Sequence, residues 1–225
     1  MKQFKTFFLV ATTTVVVIST SCSSLNKTQK GVIVGTTAGA AVGAGVGKLA
    51  GNTALGAIIG AAVGGVTGGL IGKKMDDQAK EIEAIRGAEV TRVGEGISVT
   101  FNSGVLFLVN QANLNEASKT NMRELVTVLN KYPDTYVRVE GHTDASGTTT
   151  FNNELSEKRA KAVSAFLKDL GIADNRLKTA WYGESQPKFA NDTPENMAKN
   201  RRVEFAIYAN EKMKAEAAKE ATGTK

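Results

Sequence analysis

The chain is short of cysteine. One thiol, Cys22, among 225 residues excludes an internal disulfide and any thiolate metal cluster. Histidine is as scarce. The one imidazole, His142, cannot build a multi-histidine metal site. Its near neighbour Ser156 sits inside a helical pattern rather than on a strained nucleophile turn, so no catalytic residue is assigned. There are no Lys/Arg tracts: the net charge of +6 is spread thinly, which argues against a nucleic-acid partner. Acidic residues are missing altogether from residues 31–72, which excludes the intramembrane carboxylate that a proton-conducting segment needs. All three prolines lie beyond residue 130, whereas 14 of the 23 glycines fall within 31–72, so the two halves of the chain are built on different plans.

What is present begins with an address. Lys2 and Lys5, an apolar run over 7–18 and small residues before Cys22 have the layout of a secretory signal. Ser-Thr-Ser-Cys followed by Ser-Ser resembles a bacterial lipoprotein signal. It implies a signal peptide over 1–21, lipidation at Cys22 and a short polar tether over 22–30. Glycines then recur every four residues at 31, 35, 39, 43, 47 and 51, and again at 56, 60, 64, 68 and 72. Ladders of this kind let helix backbones approach closely in a membrane. Each run would span about 26–28 Å at ~1.5 Å per residue, against a hydrocarbon core of about 30 Å. The expectation is a membrane-inserted glycine-rich helical hairpin over 31–72, resembling a glycine-zipper two-helix segment. It would contact membrane lipid and draw copies into a homo-oligomer. The filler is Val, Ile, Leu and Ala rather than Ser or Asn, which disfavours a flexible linker, and a phosphate loop lacks its Ser/Thr.

Beyond the repeat, residues 73–88 predict an amphipathic helical stalk ended by Gly87, and strands follow over 89–93 and 96–101 around a turn at Gly94. A short apolar run covers 105–109. Helical periodicity follows over 115–131, alternation over 136–143, a second helix over 152–170, a strand over 177–183, a long loop with one helical turn near 194–198, and a last strand over 202–208. The fold class is α+β: a βαβαβ-loop-β two-layer domain over 89–209. The charged tail, 210–225, reads equally as an exposed helix or a disordered end.

Two charges stand out. Asp144 closes the 136–143 strand, and Arg159 falls on the apolar stripe of the second helix, four residues from Leu155 and from Val163. A guanidinium on that face needs an anion. Either the two form a structural ion pair, or they form a clamp for a zwitterion, with Arg159 taking a carboxylate and Asp144 an ammonium.

Val139-Glu140-Gly141-His142-Thr143-Asp144, Asn152-x-x-Leu155-Ser156-x-x-Arg159-Ala160, Tyr182-Gly183-Glu184-x-x-Pro187 and Asn200-Arg201-Arg202-Val203-Glu204 follow in that order. Together they resemble the OmpA-like C-terminal domain, and with the leader the chain resembles the YiaD-type envelope lipoproteins. The resemblance implies a non-enzymatic outer-membrane lipoprotein facing the periplasm. Such a protein needs no cofactor and binds peptidoglycan non-covalently through the diaminopimelate of the stem peptide. It implies that Asp144 and Arg159 grip that group and that Thr143, Asn152, Leu155 and Phe107 line the site; Arg201 and Arg202 read either as supports behind the ligand-contacting residues or as structural. An alternative reading is a membrane assembly protein held together by its glycine hairpin, with wall binding secondary.

Overall fold

In the computed structural model, residues 53–108 and 111–223 are described. The expected signal peptide, Cys22, the tether and the first glycine run lie outside them.

The frame is a five-stranded sheet. β1 (Glu89–Val93) and β2 (Gly96–Asn102) form a hairpin through Gly94, whose φ of 52° suits the turn. β2 pairs antiparallel with β5 (Arg202–Ala209), β5 pairs antiparallel with β3 (Thr135–His142), and β3 runs parallel to β4 (Leu177–Trp181), giving the order β1-β2-β5-β3-β4. The parallel pair is joined by α5 (Thr149–Asp169), as a crossover requires. The remaining helices, in chain order, are α1 (Thr53–Ala61), α2 (Gly65–Glu83), the single turn α3 (Ser103–Leu106), α4 (Glu116–Lys131), α6 (Pro194–Asn200) and α7 (Glu211–Thr222).

Odd-numbered positions of β3 and β5 face the main core. Val137, Val139, Val203, Phe205 and Ile207 are fully buried there with Leu125, Leu129 and Val163 from the helices. Side-chain caps fix the helix starts. Asn115 accepts the Ser118 N–H at 2.8 Å, and Thr148 accepts that of Phe151 at 3.2 Å, which starts α5 three residues ahead of the expected 152. Arg176 is a buried staple. Its guanidinium donates to the carbonyls of Leu129 and Tyr132 at the end of α4 and of Thr135 at the start of β3.

Three sequence expectations need correction. The second glycine run does not form a membrane span, and among the described residues no helix is long and apolar enough to cross a membrane. The run is broken at 62–64, where Gly64 and Gly65 take φ of 74° and 65° and the Glu95 carboxylate accepts the N–H groups of Val63 and Gly64 at 2.7 and 2.6 Å. α1, at nine residues, is about 14 Å long, half the thickness of a hydrocarbon core. It lies on the outer face of the sheet, where Ala54 and Ile58 bury against Ala206 and Tyr208. Gly96 makes that approach feasible, because a Cβ there would lie 2.4 Å from Ile58 and 2.8 Å from the Ile207 carbonyl. The expected membrane-inserted hairpin and its lipid contact are therefore withdrawn. The helix predicted over 73–88 instead starts at Gly65 and packs Ile71, Met75, Ala79 and Ile82 into the main core.

Second, the first β of the βαβαβ order, expected at the apolar run 105–109, is not formed over its described residues, 105–108. α3 occupies its start, Phe107 forms only an isolated bridge to Leu114, and the strand role passes to β2. Third, the described part of the tail takes the helix of the two readings, but not a free one: α7 is exposed along most of its surface and buries Met213 and Ala217 in the main core.

Candidate ligand-binding cleft

The last rung of the sheet pairs Asn102, Arg202 and His142. One residue further out, the Ser103 N–H donates to the Arg201 carbonyl at 2.7 Å and the Thr143 N–H to the Gly183 carbonyl at 2.8 Å. These bonds carry Ser103, Thr143, Asp144 and Arg201 past the same sheet end. α5 reaches that end because Gly141 has no side chain, since a Cβ there would sit 2.3 Å from the Ser156 carbonyl oxygen. The result is an open cleft of about 700 Å³. All six residues expected at the site, Phe107, Thr143, Asp144, Asn152, Leu155 and Arg159, line it. Ser103, Phe151, Glu195, Lys199 and Arg201 line it as well.

Arg159 is 3% exposed. Its Nε donates to the Gln111 carbonyl at 3.0 Å and its guanidinium carbon lies 5.1 Å from the Phe107 ring centre, a cation–π contact. Its Nη1 is buried with no hydrogen-bond partner among the described residues. Burial, reinforced by the Arg201 charge and opposed by Asp144, pushes the Arg159 guanidinium below its usual range. The Thr143 and Ser103 hydroxyls on the same cleft are also buried and unpartnered. Buried polar groups are normally satisfied, so three such groups on one cleft are an unusual concentration.

Asp144 does not pair with Arg159. Its carboxylate takes Arg201 Nη1 on one oxygen and the Ser146 N–H, at 2.9 Å, on the other. Burial alone would raise this carboxyl, but the Arg201 guanidinium and the Ser146 N–H outweigh it and hold it below the usual carboxylate range. The structural Asp144–Arg159 ion pair is thus not formed. Arg201, expected either behind the contacting residues or as structural, backs Asp144 and also lines the cleft itself. Nothing in the Asn-Arg-Arg spacing separates the roles of Arg201 and Arg202. Strand alternation does, since Arg202 sits within β5 and Arg201 just before it. Asn152 anchors its end of the cleft by donating to Glu184, which also accepts from the Thr149 hydroxyl at 2.8 Å.

His142 belongs to the other face of the sheet. There Glu140, His142 and Glu204 bring ligand atoms within 4.8 Å of one another, the composition of a metal site. Arg138 and Arg202 already pair with the two carboxylates, so the cluster holds no net negative charge to attract a divalent cation. It is an ion-pair layer, closed over by Thr53 of α1, whose hydroxyl donates to Glu140 at 2.9 Å. Ser156 is equally committed, donating to the Asn153 carbonyl at 2.8 Å and accepting the Gly183 N–H at 2.9 Å. No triad joins it to His142.

Comparison with known proteins gives two family matches: the OmpA family over residues 106–201, and a YMGG-like Gly-zipper over 1–76. The chain is 37% identical over 140 residues to "Probable lipoprotein YiaD" of Escherichia coli, covering 61% of this chain and 64% of that one. It is 36% identical over 126 residues to "Outer membrane porin F" of Pseudomonas aeruginosa, 56% of this chain and 34% of the porin. It is 31% identical over 133 residues to the "Peptidoglycan-associated lipoprotein" of Mesorhizobium japonicum, 58% of this chain and 79% of that relative. The match thus spans under two thirds of the first two relatives. Among solved structures, a MotB-like protein from Desulfovibrio vulgaris has a TM-score of 0.55 at 24% identity, covering 63% of this chain and 90% of that one. The cell wall anchor of the T6SS from Pseudomonas aeruginosa has 0.54 at 23%, covering 60% and 97%. At such identities these two establish the fold. Lipoproteins and porins of this kind mark the chain as a non-enzymatic protein.

Proposed function

This chain belongs to the OmpA family, and on that premise we propose that it is a periplasm-facing outer-membrane protein that binds peptidoglycan non-covalently in the cleft between Asp144 and Arg159. The observation that carries the reading is the Arg159 Nη1, buried and unpartnered on a cleft that also holds a carboxylate. Such a pairing of charges suits an amino acid presented end-on. The diaminopimelate of the stem peptide offers one, with a carboxylate for Arg159 and an ammonium for Asp144. The unpartnered hydroxyls of Thr143 and Ser103 would satisfy further polar atoms of the ligand, and Phe107, Leu155 and Phe151 its aliphatic chain. Cys22 is the anchor in this reading, joined to lipid ahead of the folded domain.

Retention of the full chain on purified sacculi tests the site. Wild type is expected to co-sediment, and both Asp144→Ala and Arg159→Ala to remain in the supernatant. Retention unchanged in both variants rules the cleft out. Labelling with a palmitate analogue tests the anchor: incorporation should vanish in Cys22→Ala, and labelling that survives the substitution excludes it.

A further inference from the structure

The cleft is open at its cation and closed at its anion. Arg159 offers a buried Nη1 with no partner, whereas Asp144 is engaged on both oxygens, by Arg201 and by the Ser146 N–H. The two members of the Asp144–Arg201 pair are unlike. The Asp144 side chain is 6% exposed and that of Arg201 is 43% exposed, so the arginine reaches in from the solvent side and has room to leave. It sits at the joint between α6 and β5, where a φ of −74° and ψ of 93° end the helix and leave its side chain over the cleft. We propose that Arg201 is an internal competitor for Asp144: it occupies the ammonium position of the cleft in the free protein, and a bound ligand must displace it.

This inference rests on the reading of the cleft as a zwitterion site and adds an order of events and a source of specificity. The carboxylate of the ligand meets Arg159 first, because the Nη1 of that guanidinium is unoccupied. The ammonium then exchanges for Arg201 at Asp144, one charge-assisted bond for another of the same kind. Glu195, on the same cleft, is a carboxylate toward which the freed guanidinium can turn. A ligand with a carboxylate and no ammonium leaves Arg201 where it is. Affinity for the zwitterion is lowered by the fraction of time that Asp144 is unavailable, about tenfold if Arg201 holds it nine-tenths of the time. The competing role for Arg201, a second direct hold on the ligand carboxylate, predicts the opposite sign on removal.

The experiment is calorimetric titration of the full chain in detergent with two probes, diaminopimelate and pimelate, the same diacid without its amino groups. Arg201→Ala and Arg201→Gln are compared with wild type; the glutamine can still donate to Asp144 without a charge and guards against loss of the local fold, which the thermal midpoint monitors. Both variants are expected to bind diaminopimelate about 3–10-fold more tightly than wild type and pimelate no more tightly. Diaminopimelate bound by wild type but equally or less well by both variants overturns the competitor and leaves the cleft reading standing. Diaminopimelate bound by none of the three proteins overturns both.

Discussion

Arg159 places a charge where the helix buries its apolar stripe, and its surroundings only partly compensate: one carbonyl, one aromatic face and one orphaned nitrogen. A structural ion pair would behave differently, since breaking one typically costs about 3–5 kcal/mol. Arg159→Met keeps the aliphatic packing and removes the desolvated charge. Its unfolding free energy, measured in urea, should therefore fall by no more than about 1 kcal/mol, while sacculus retention is lost. A drop of 3 kcal/mol would make the residue structural. His142 illustrates a different cost. Its ring is buried, stacked on Tyr182, and has both nitrogens unpartnered. Burial and the nearby Arg202 and Lys188 outweigh Glu204 and push its pKa down to about 3. The unfolded chain therefore takes up this proton near pH 6.5 and the folded chain only near pH 3. Stability is lost as pH falls through that window, by up to about 1.4 kcal/mol per pH unit. Glu140, packed beside it, has a carboxyl that burial raises, and so works in the opposite direction. His142→Phe keeps the stacking and removes the titration. Urea unfolding of this variant between pH 6.5 and 4.5 should show a distinctly shallower fall than wild type, and an equal slope would clear His142 of the effect.

At the level of elements, strands and helices whose apolar faces meet the main core were legible to within a few residues. β3, α4 and α5 follow a period of two or 3.6 set by the face on the main core, and β5 keeps Val203, Phe205 and Ile207 in alternation on that core although both of its faces are buried. So was the cleft, because an arginine on an apolar stripe is itself a signal. The glycine run was misread for a physical reason. The glycines recur every four residues, but they are not the face that packs: Gly60 is exposed with open space beside it, and α1 seats through Ala54 and Ile58, so the period of the glycines tells neither which face is buried nor against what. What decides is a surface elsewhere in the chain, namely Ala206 and Tyr208 on the outer face of β5 and the missing side chain of Gly96. The Asp144–Arg201 contact was hidden similarly, since it depends on where α6 delivers the chain to β5. Docking of α1 makes a direct prediction. Ile58 is 1% exposed, so Ile58→Ala should cost about 2–4 kcal/mol in urea unfolding. Gly96→Val, which collides with a backbone carbonyl, should cost at least about 1–3 kcal/mol. Were α1 not seated on the sheet, Ile58→Ala would leave the unfolding midpoint unchanged.

For the molecule as a whole, the boundary of the folded unit does not coincide with the boundary of the family motifs. The OmpA match covers 106–201 and the domain expected from the sequence 89–209, yet the main core draws Ile71, Met75 and Ile82 from α2 and Met213 from α7. α2 also reaches α4 through Glu81, which accepts from the Tyr132 hydroxyl at 2.8 Å. Burying a side chain of this size contributes about 1.5–3 kcal/mol. Losing four of them removes about 6–12 kcal/mol, the same order as the total stability of about 5–15 kcal/mol of an ordinary domain. α2 and α7, which carry the described end of the glycine-rich segment and most of the charged tail, are therefore parts of the domain that presents the cleft. A fragment of residues 53–225 should unfold in one cooperative transition, whereas 89–209 should show no transition or a midpoint lowered by tens of degrees, when the two are followed by circular dichroism on heating. Equal midpoints would mean that α1, α2 and α7 merely rest on a self-sufficient core. The expected result has a bearing on binding as well. A fragment trimmed to the motifs would fail on sacculi because it does not fold, so the cleft has to be judged in chains that keep both flanking helices.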